Sequence, residues 1–488
     1  MTSIVLTTLN ARYTHASMGL RCLRANLGEL RETSVIDEFI IGQQTNEIVE
    51  KLLAHRPKII GFGVYIWNVD ETTKIVALLK RVAPEVVIIL GGPEVSFEID
   101  EQRICQLADY VITGWGDVTF RKVCEAVLHG PKPLMKVHAG EQPPLSEIAM
   151  PYGEYTIDDI AHRTLYVEAS RGCPFKCEFC LSALDKTAWP FETDAFLADM
   201  DTLYKRGARQ FKFVDRTFNL NAKVSLKILQ FFLDRWTEED PVYAHFELVP
   251  DHLPDVLKET IAKFPSGALQ FEIGIQTFNT DVQALVSRKQ NNDKAVENLR
   301  WLHTQSRAHM HVDLIAGLPG ESMQSFGAGF DRLVGLGPHE IQFGILKRLR
   351  GTPIIRHTAP YRMAFSPDAP YEIVANQDLS FNDMQRMSRF ARYWDLVANS
   401  GRFANTLPLL LKDAPFDNFM MFADWLYATT SKTHQFALER LFEFVQRYLA
   451  LTQDIHAVDA AIAIDKERAQ IKTRSAKLQR QQRHGAVL

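Results

Sequence analysis

Short apolar runs alternate with amphipathic helical stretches twice along this chain, and a proline-rich stretch separates the two series. Such alternation favours parallel sheets covered by helices, because joining parallel strands needs a long crossover, usually helical. In the first series the strand-like runs fall at residues 4–9, 34–40, 59–64, 86–90 and 110–113. Helix-like segments lie at 17–30, 45–54, 70–82 and 118–128. This predicts an α/β fold that begins with a doubly wound parallel sheet over residues 1–130. Residues 131–160 carry Pro131, Pro133, Pro143, Pro144 and Pro151 and read as a linker.

The second series spans 161–350. Its strands are expected at 164–169, 210–214, 244–248, 269–275, 309–315 and 340–346, with helices near 193–206, 222–235, 253–263, 292–304 and 322–334. Strand–helix units repeated in this way predict a partial parallel barrel. Residues 351–450 lose the strand pattern and read as a helical C-terminal domain. Residues 451–488 read as a charged tail, in which Lys466, Arg468, Lys472, Arg474, Lys477, Arg480 and Arg483 sit on a solvated helix.

Three of the six cysteines fall within one short segment, Glu168-Ala-Ser-Arg-Gly-Cys173-Pro-Phe-Lys-Cys177-Glu-Phe-Cys180. The spacing is C-x3-C-x2-C, just after the first barrel strand, at the end where barrel active sites are built. Clustered thiols in a long chain without a disulfide framework point to metal or redox chemistry. Thiolates are the usual ligands of iron–sulfur clusters. Three of them on a four-iron four-sulfur cube leave one iron open, as catalytic metal sites require. A zinc site would need a fourth ligand, and none stands at finger spacing nearby; inert thiols are the remaining alternative. Cys22, Cys105 and Cys124 are expected to pack as small hydrophobes.

The barrel strands carry polar residues on alternate positions: His245 and Glu247; Glu272, Gly274 and Gln276; His309, His311 and Asp313; Glu340, Gln342 and Gly344. Side chains alternate faces along a strand. The helix-covered outer face needs apolar groups, so the polar face should line the lumen. A closed barrel fills its lumen with branched aliphatics; a polar lumen implies a ligand cavity.

The cysteine segment, with Phe179 before its last cysteine, resembles the radical S-adenosylmethionine superfamily. That resemblance implies an enzyme whose cluster, held by Cys173, Cys177 and Cys180, cleaves S-adenosylmethionine to a 5′-deoxyadenosyl radical. Gly274-Ile-Gln276-Thr-Phe-Asn is similar to the family's fourth-strand element, and Asp313-Leu-Ile-Ala-Gly317-Leu318-Pro319-Gly-Glu321 to its fifth. The turn after strand two departs from the family pattern; Asp215 and Arg216 there are expected either to hold the methionyl group, with Glu247 nearby, or to form a local salt bridge.

The strand ends of the first series resemble the cobalamin-binding subclass of that superfamily. The residues expected around cobalamin are Asn10; Tyr65, Trp67 and Asn68; Gly91, Gly92, Pro93, Glu94 and Ser96; and Gly114, Gly116 and Asp117. Glycines there let backbone approach a large ligand closely. The cobalt-binding D-x-H-x-x-G pattern is missing: the corresponding place reads Tyr13-Thr-His15-Ala-Ser-Met18, so His15 is expected to cap the following helix and the loop with Tyr65, Trp67 and Asn68 to cover the lower face. The resemblance implies methylation of an unactivated carbon of a small-molecule or unknown substrate. Alternatives are cyclisation, ring rearrangement or oxidation with cobalamin as redox partner, or a non-catalytic cobalamin- or metal-binding sensor. An electron donor such as flavodoxin or ferredoxin is implied.

The formal net charge of −4 argues against a general nucleic-acid binder. No run reaches the ~18 apolar residues of a membrane span. The N-terminus has no basic start before its first strand, so the expected location is cytoplasmic.

Overall fold

A computed structural model describes residues 2–185 and 188–485; side chains beyond residue 471, including those of Lys472, Arg474, Lys477, Arg480 and Arg483, lie outside what it describes. The first unit is a six-stranded parallel sheet ordered β2-β1-β3-β4-β5-β6. Its strands are β1 (Ile4–Asn10), β2 (Ser34–Ile40), β3 (Ile59–Gly63), β4 (Val87–Gly91), β5 (Tyr110–Thr113) and β6 (Val137–Ala139). Apolar clusters cover both faces, which is why β1 is buried at every position. The strand order reverses at β1 and β3, and crevices at such reversals are where these sheets bind ligands.

Two expectations are corrected here. The stretch read as a linker supplies β6, the sheet's edge strand. The helix expected over 17–30 stops early, running Met18–Ala25 with Asn26 as its C-cap and giving way to a 3-10 turn at Gly28–Thr33, where Gly28 adopts φ +58°.

The second unit is an open six-stranded parallel barrel ordered β14-β13-β12-β11-β10-β7. Its strands are β7 (Leu165–Val167), β10 (Gln210–Phe213), β11 (Tyr243–Leu248), β12 (Leu269–Gln276), β13 (His309–Ala316) and β14 (Glu340–Ile345). A two-residue antiparallel ladder of β8 (Ser170–Arg171) and β9 (Trp189–Pro190) closes the cysteine loop. Phe211, Phe213, Phe246 and Phe271 lie fully buried on the helix-covered face, and the intervening polar residues face the lumen.

The chain beyond the barrel is not purely helical, since β15 (Ala364–Phe365) and β16 (Ile373–Ala375) form a short antiparallel pair first. Helices Phe381–Trp394 and Pro415–Thr430 then pack Phe390, Trp394 and Phe416 against Phe330 of the last barrel helix. The final helix, Ile455–Gly485, is anchored by buried Asp465, which accepts from the backbone and side chains of Asn405 and Thr406.

Candidate active site

The loop after β7 is pinned before any ligand is considered. Cys173 donates its N–H to Asp185 O (3.1 Å), and Glu178 donates its own to Val286 O (3.0 Å). The buried Glu178 carboxylate meets His357 (2.8 Å), Ser287 (2.5 Å) and Arg356. Cys173 and Cys177 are buried and Cys180 half-buried, all three with free thiols. Burial pushes the Cys173 and Cys177 thiols up, while Arg288, with Nη1 at 3.6 Å from Cys177 Sγ, pulls Cys177 the other way. Among the described residues no three His, Cys, Asp or Glu side chains are placed to hold a single metal ion. The thiols instead line one cavity of about 190 Å³.

The far wall of that cavity comes from the lumen face of β11, β12 and β13. Arg216 reaches Glu247 (2.6 Å), and Glu272 and Asp313 lie below. A bulge between Gly274 and Gln276 ends β12, with Gln276 at φ +67°. A Cβ on Gly274 would lie 2.4 Å from the Gln276 amide nitrogen, so only glycine lets that side chain fold back. Bulges often re-aim a side chain beside a functional site. Gln276 Oε1 is buried without a hydrogen-bond partner from the chain.

Deeper in the lumen the polar faces form one charged column. Glu272 meets His245 (3.1 Å) and Lys212 (3.4 Å), and His311 meets Asp313 (3.3 Å) and Glu340 (3.2 Å). Burial would raise Glu272, but the His245 bond and the Lys212 charge outweigh it and hold it near 2. Burial opposes protonation of His311, yet bonds to Asp313 and Glu340 hold its pKa up at about 10.

A second cavity, about 370 Å³, opens at the carboxyl ends of β3, β4 and β5 beside the helix Met18–Ala25. Gly63, Gly91, Gly92, Gly114 and Gly116 leave its rim bare of side chains, and nothing stands within 4 Å of where Gly114 would carry a Cβ. Ser96 joins two of these turns, donating to Gly92 O (2.9 Å) and accepting from Gly114 N–H (3.1 Å). Glu168 and Arg171 of the barrel complete the lining. Asp117 Oδ1 is buried there without a partner from the chain.

Two cavities, one glycine-rimmed and one ringed by cysteines, coincide with two family matches. Residues 4–124 match the B12 binding domain and residues 167–333 the Radical SAM superfamily. The chain carries a radical SAM domain. It carries a B12-binding domain ahead of its radical SAM domain, and residues 359–483 match a protein family of unknown function, DUF4080. An uncharacterized methyltransferase, PH0819 of Pyrococcus horikoshii, is 27% identical over 48% of this chain and 56% of its own length. The cobalamin-dependent radical SAM methyltransferase TokK of Streptomyces tokunonensis is 24% identical over 58% of this chain and 46% of its own. The chain thus spans about half the length of these curated relatives. The cobalamin-dependent S-adenosylmethionine radical enzyme OxsB superposes with TM-score 0.65 at 13% identity, covering 97% of this chain and 81% of that one. The radical S-adenosylmethionine methyltransferase TsrM of Kitasatospora setae superposes with TM-score 0.61 at 14% identity, covering 87% of this chain and all of that one.

The cysteine-ringed cavity brings together Cys173, Cys177, Phe179, Cys180, Arg216, Glu247, Gly274 and Gln276. Asp215 stands apart. It points beneath the loop, accepting from Ala169 N–H (3.0 Å) and Ser170 Oγ (2.6 Å), and burial raises it to about 7. It neither pairs with Arg216 nor lines the cavity. Gly317, Leu318 and Pro319 are also outside the cavity: Gly317 packs against Ile373 and Met384, and Leu318 joins the apolar cluster beneath the C-terminal domain.

In the B12-binding domain, Tyr65, Gly91, Gly92, Gly114, Gly116 and Asp117 line the cavity. Asn10 is turned to His15 O (2.9 Å) and Glu38 (3.0 Å). Asn68 is spent on Thr8, Leu9 and Gly63, holding the loop. Trp67 stacks on Tyr65 with centroids 4.4 Å apart and is half exposed. Pro93 starts a one-turn helix, and Glu94 faces Arg350 and Tyr371 rather than the cavity. His15 does not cap the helix; Ser17 does, and His15 instead meets Tyr166 of the barrel (2.6 Å). Cys22 is buried but lines the cavity. Arg288, Arg171 and Trp115 were not among the expected residues. The only trace of Arg288 in the sequence is a basic Arg288-Lys289 pair soon after a polar strand end.

Proposed function

We propose that this chain is a cobalamin-dependent radical S-adenosylmethionine methyltransferase acting on an unactivated carbon of a small molecule. The observation that carries the reading is that one loop serves both cavities. Glu168 and Arg171 line the glycine-rimmed cavity, and a few residues on, the same loop presents the three cysteines to the other cavity. The donor sets fit the groups the family implies: free thiols with a neighbouring guanidinium on one side, bare strand ends and an apolar wall on the other. When bound, the cluster supplies the electron that splits S-adenosylmethionine, and cobalamin carries the methyl group.

Cys173, Cys177 and Cys180 hold the cluster, and the Arg288 charge favours its reduced state. Gln276, with its unpaired carbonyl oxygen, and the Glu247–Arg216 pair hold the nucleoside and methionyl ends of S-adenosylmethionine. Phe179 covers the loop side. The protein works in the cytoplasm with a flavodoxin- or ferredoxin-type donor.

The test is anaerobic. Reconstituted protein given a reductant, cobalamin, methyl-labelled S-adenosylmethionine and a small-molecule extract should release 5′-deoxyadenosine and place the label in a product. Cys177→Ala should do neither. A new product without the label would reject methyl transfer and leave a radical rearrangement or oxidation.

A further inference from the structure

Between the two cavities the chain makes a compact joint centred on Arg171. Its guanidinium forks onto Glu168 (Nε 3.1 Å, Nη2 3.0 Å) and reaches Asp117 of the B12-binding domain (Nη1 3.0 Å). It lies 4.7 Å above the Trp115 ring. Trp115 in turn donates its indole N–H to Asp185 (3.2 Å), whose backbone carbonyl takes the N–H of Cys173. Two residues after Arg171 comes Cys173 itself. One side chain therefore joins the Gly114–Asp117 rim of the first cavity to both ends of the cysteine loop.

Such a joint costs more than ordinary packing demands. Arg171, Glu168 and Asp117 are largely removed from water, and charges so placed are a weak way to gain stability against a well-packed apolar contact. What a planar five-donor group gives instead is fixed geometry across two carboxylates. Asp117 keeps its second oxygen unpaired on the cavity side.

We propose that Arg171 is a positioning residue that couples the two cofactor sites: occupation of the B12-binding cavity shifts the Gly114–Asp117 turn, and Arg171 passes that shift to the cysteine loop. This rests on the function proposed above. It makes two demands on the reconstituted full chain. Adding cyanocobalamin, a diamagnetic corrinoid too hard to reduce to take the cluster's electron, should alter the electron paramagnetic resonance spectrum of the reduced cluster, and the alteration should need Arg171.

The experiment compares wild type, Arg171→Ala, Arg171→Lys and Trp115→Phe, each with iron content measured and cyanocobalamin titrated. In wild type the spectrum should move as cobalamin saturates. In Arg171→Ala iron should be retained, cobalamin affinity should fall about tenfold, as for one lost charge-assisted bond, and the spectral response should vanish at saturation. Lysine should not restore it, because an ammonium cannot span both carboxylates while lying on the indole. Trp115→Phe keeps the ring and loses the Asp185 bond, so the response should be weakened with iron unchanged; it decides the matter should Arg171→Ala lose its cluster. A response that persists undiminished in the variants, or a wild type that binds cobalamin without any response, overturns the coupling. A wild type that binds no cobalamin overturns the underlying function instead.

Discussion

Arg216 and Glu247 stand on neighbouring barrel strands' ends and meet at 2.6 Å across the floor of the cysteine-ringed cavity. The pair is unequal: Glu247 is mostly covered and Arg216 half exposed. Burial raises the Glu247 carboxyl, and the Arg216 charge opposes that rise. Glu247→Gln should therefore leave iron content unchanged while weakening S-adenosylmethionine binding by about tenfold, the effect of one charged hydrogen bond. Equilibrium binding to the reconstituted protein checks it; unchanged affinity would remove Glu247 from the ligand site.

Cys177 and Arg288 should separate holding the cluster from tuning it. Cys177→Ala should strip iron from about four per chain to background. Arg288→Ala should keep the iron but make the cluster harder to reduce, because a positive charge near a thiolate favours the electron-rich state. A potentiometric titration followed by electron paramagnetic resonance reads the shift, which must be toward more negative potential.

Glu321 supplies a pH dependence. It is buried, bonded to Thr277 Oγ1 (2.5 Å), and burial raises its pKa from 4.5 to about 7. The folded state thus holds a proton that the unfolded state releases, and stability falls as pH rises wherever the folded state binds more protons. The contribution is full below about pH 4.5 and is lost as pH climbs through about 7. Urea midpoints at pH 5 and pH 8 should differ less in Glu321→Gln than in wild type.

Gly92 adopts φ +110° and ψ 168°, a region open essentially to glycine alone. A Cβ there would stand 2.4 Å from Val64 O. Gly92→Ala should destabilise the chain by about 1–3 kcal/mol from backbone strain and reduce cobalamin uptake further than stability alone explains. Gly114→Ala is the comparison: its Cβ would meet nothing within 4 Å, so any loss there comes from φ +69° and from the ligand.

What could be read from the sequence was whatever is local or periodic. The polar faces of β11, β12 and β13 were visible because one face of each strand must meet helices, and period two then fixes the other. The cysteines were visible because their ligand spacing lies within one loop. Asp215 was misplaced because adjacent residues in a turn can point opposite ways, and only the Ser170 hydroxyl and Ala169 N–H decide which way this one goes. β6 was hidden because an edge strand of three residues between prolines has too few side chains to show a period. Arg171 stands within the cysteine segment, yet its partner Asp117 and the Trp115 ring lie over fifty positions earlier, and no local pattern joins them.

Glu94, in the turn after β4, accepts from Arg350 (2.8 Å) and from the Tyr371 hydroxyl (3.0 Å), and Glu98 accepts from Arg348 (2.9 Å) and Arg350 (2.7 Å). The two sides of this clasp are some 250 positions apart, so a growing chain exposes the acidic turn long before its basic partners leave the ribosome. The leading sheet can fold first, as leading domains do during synthesis. Its turn, however, gains its final support only when most of the chain is made.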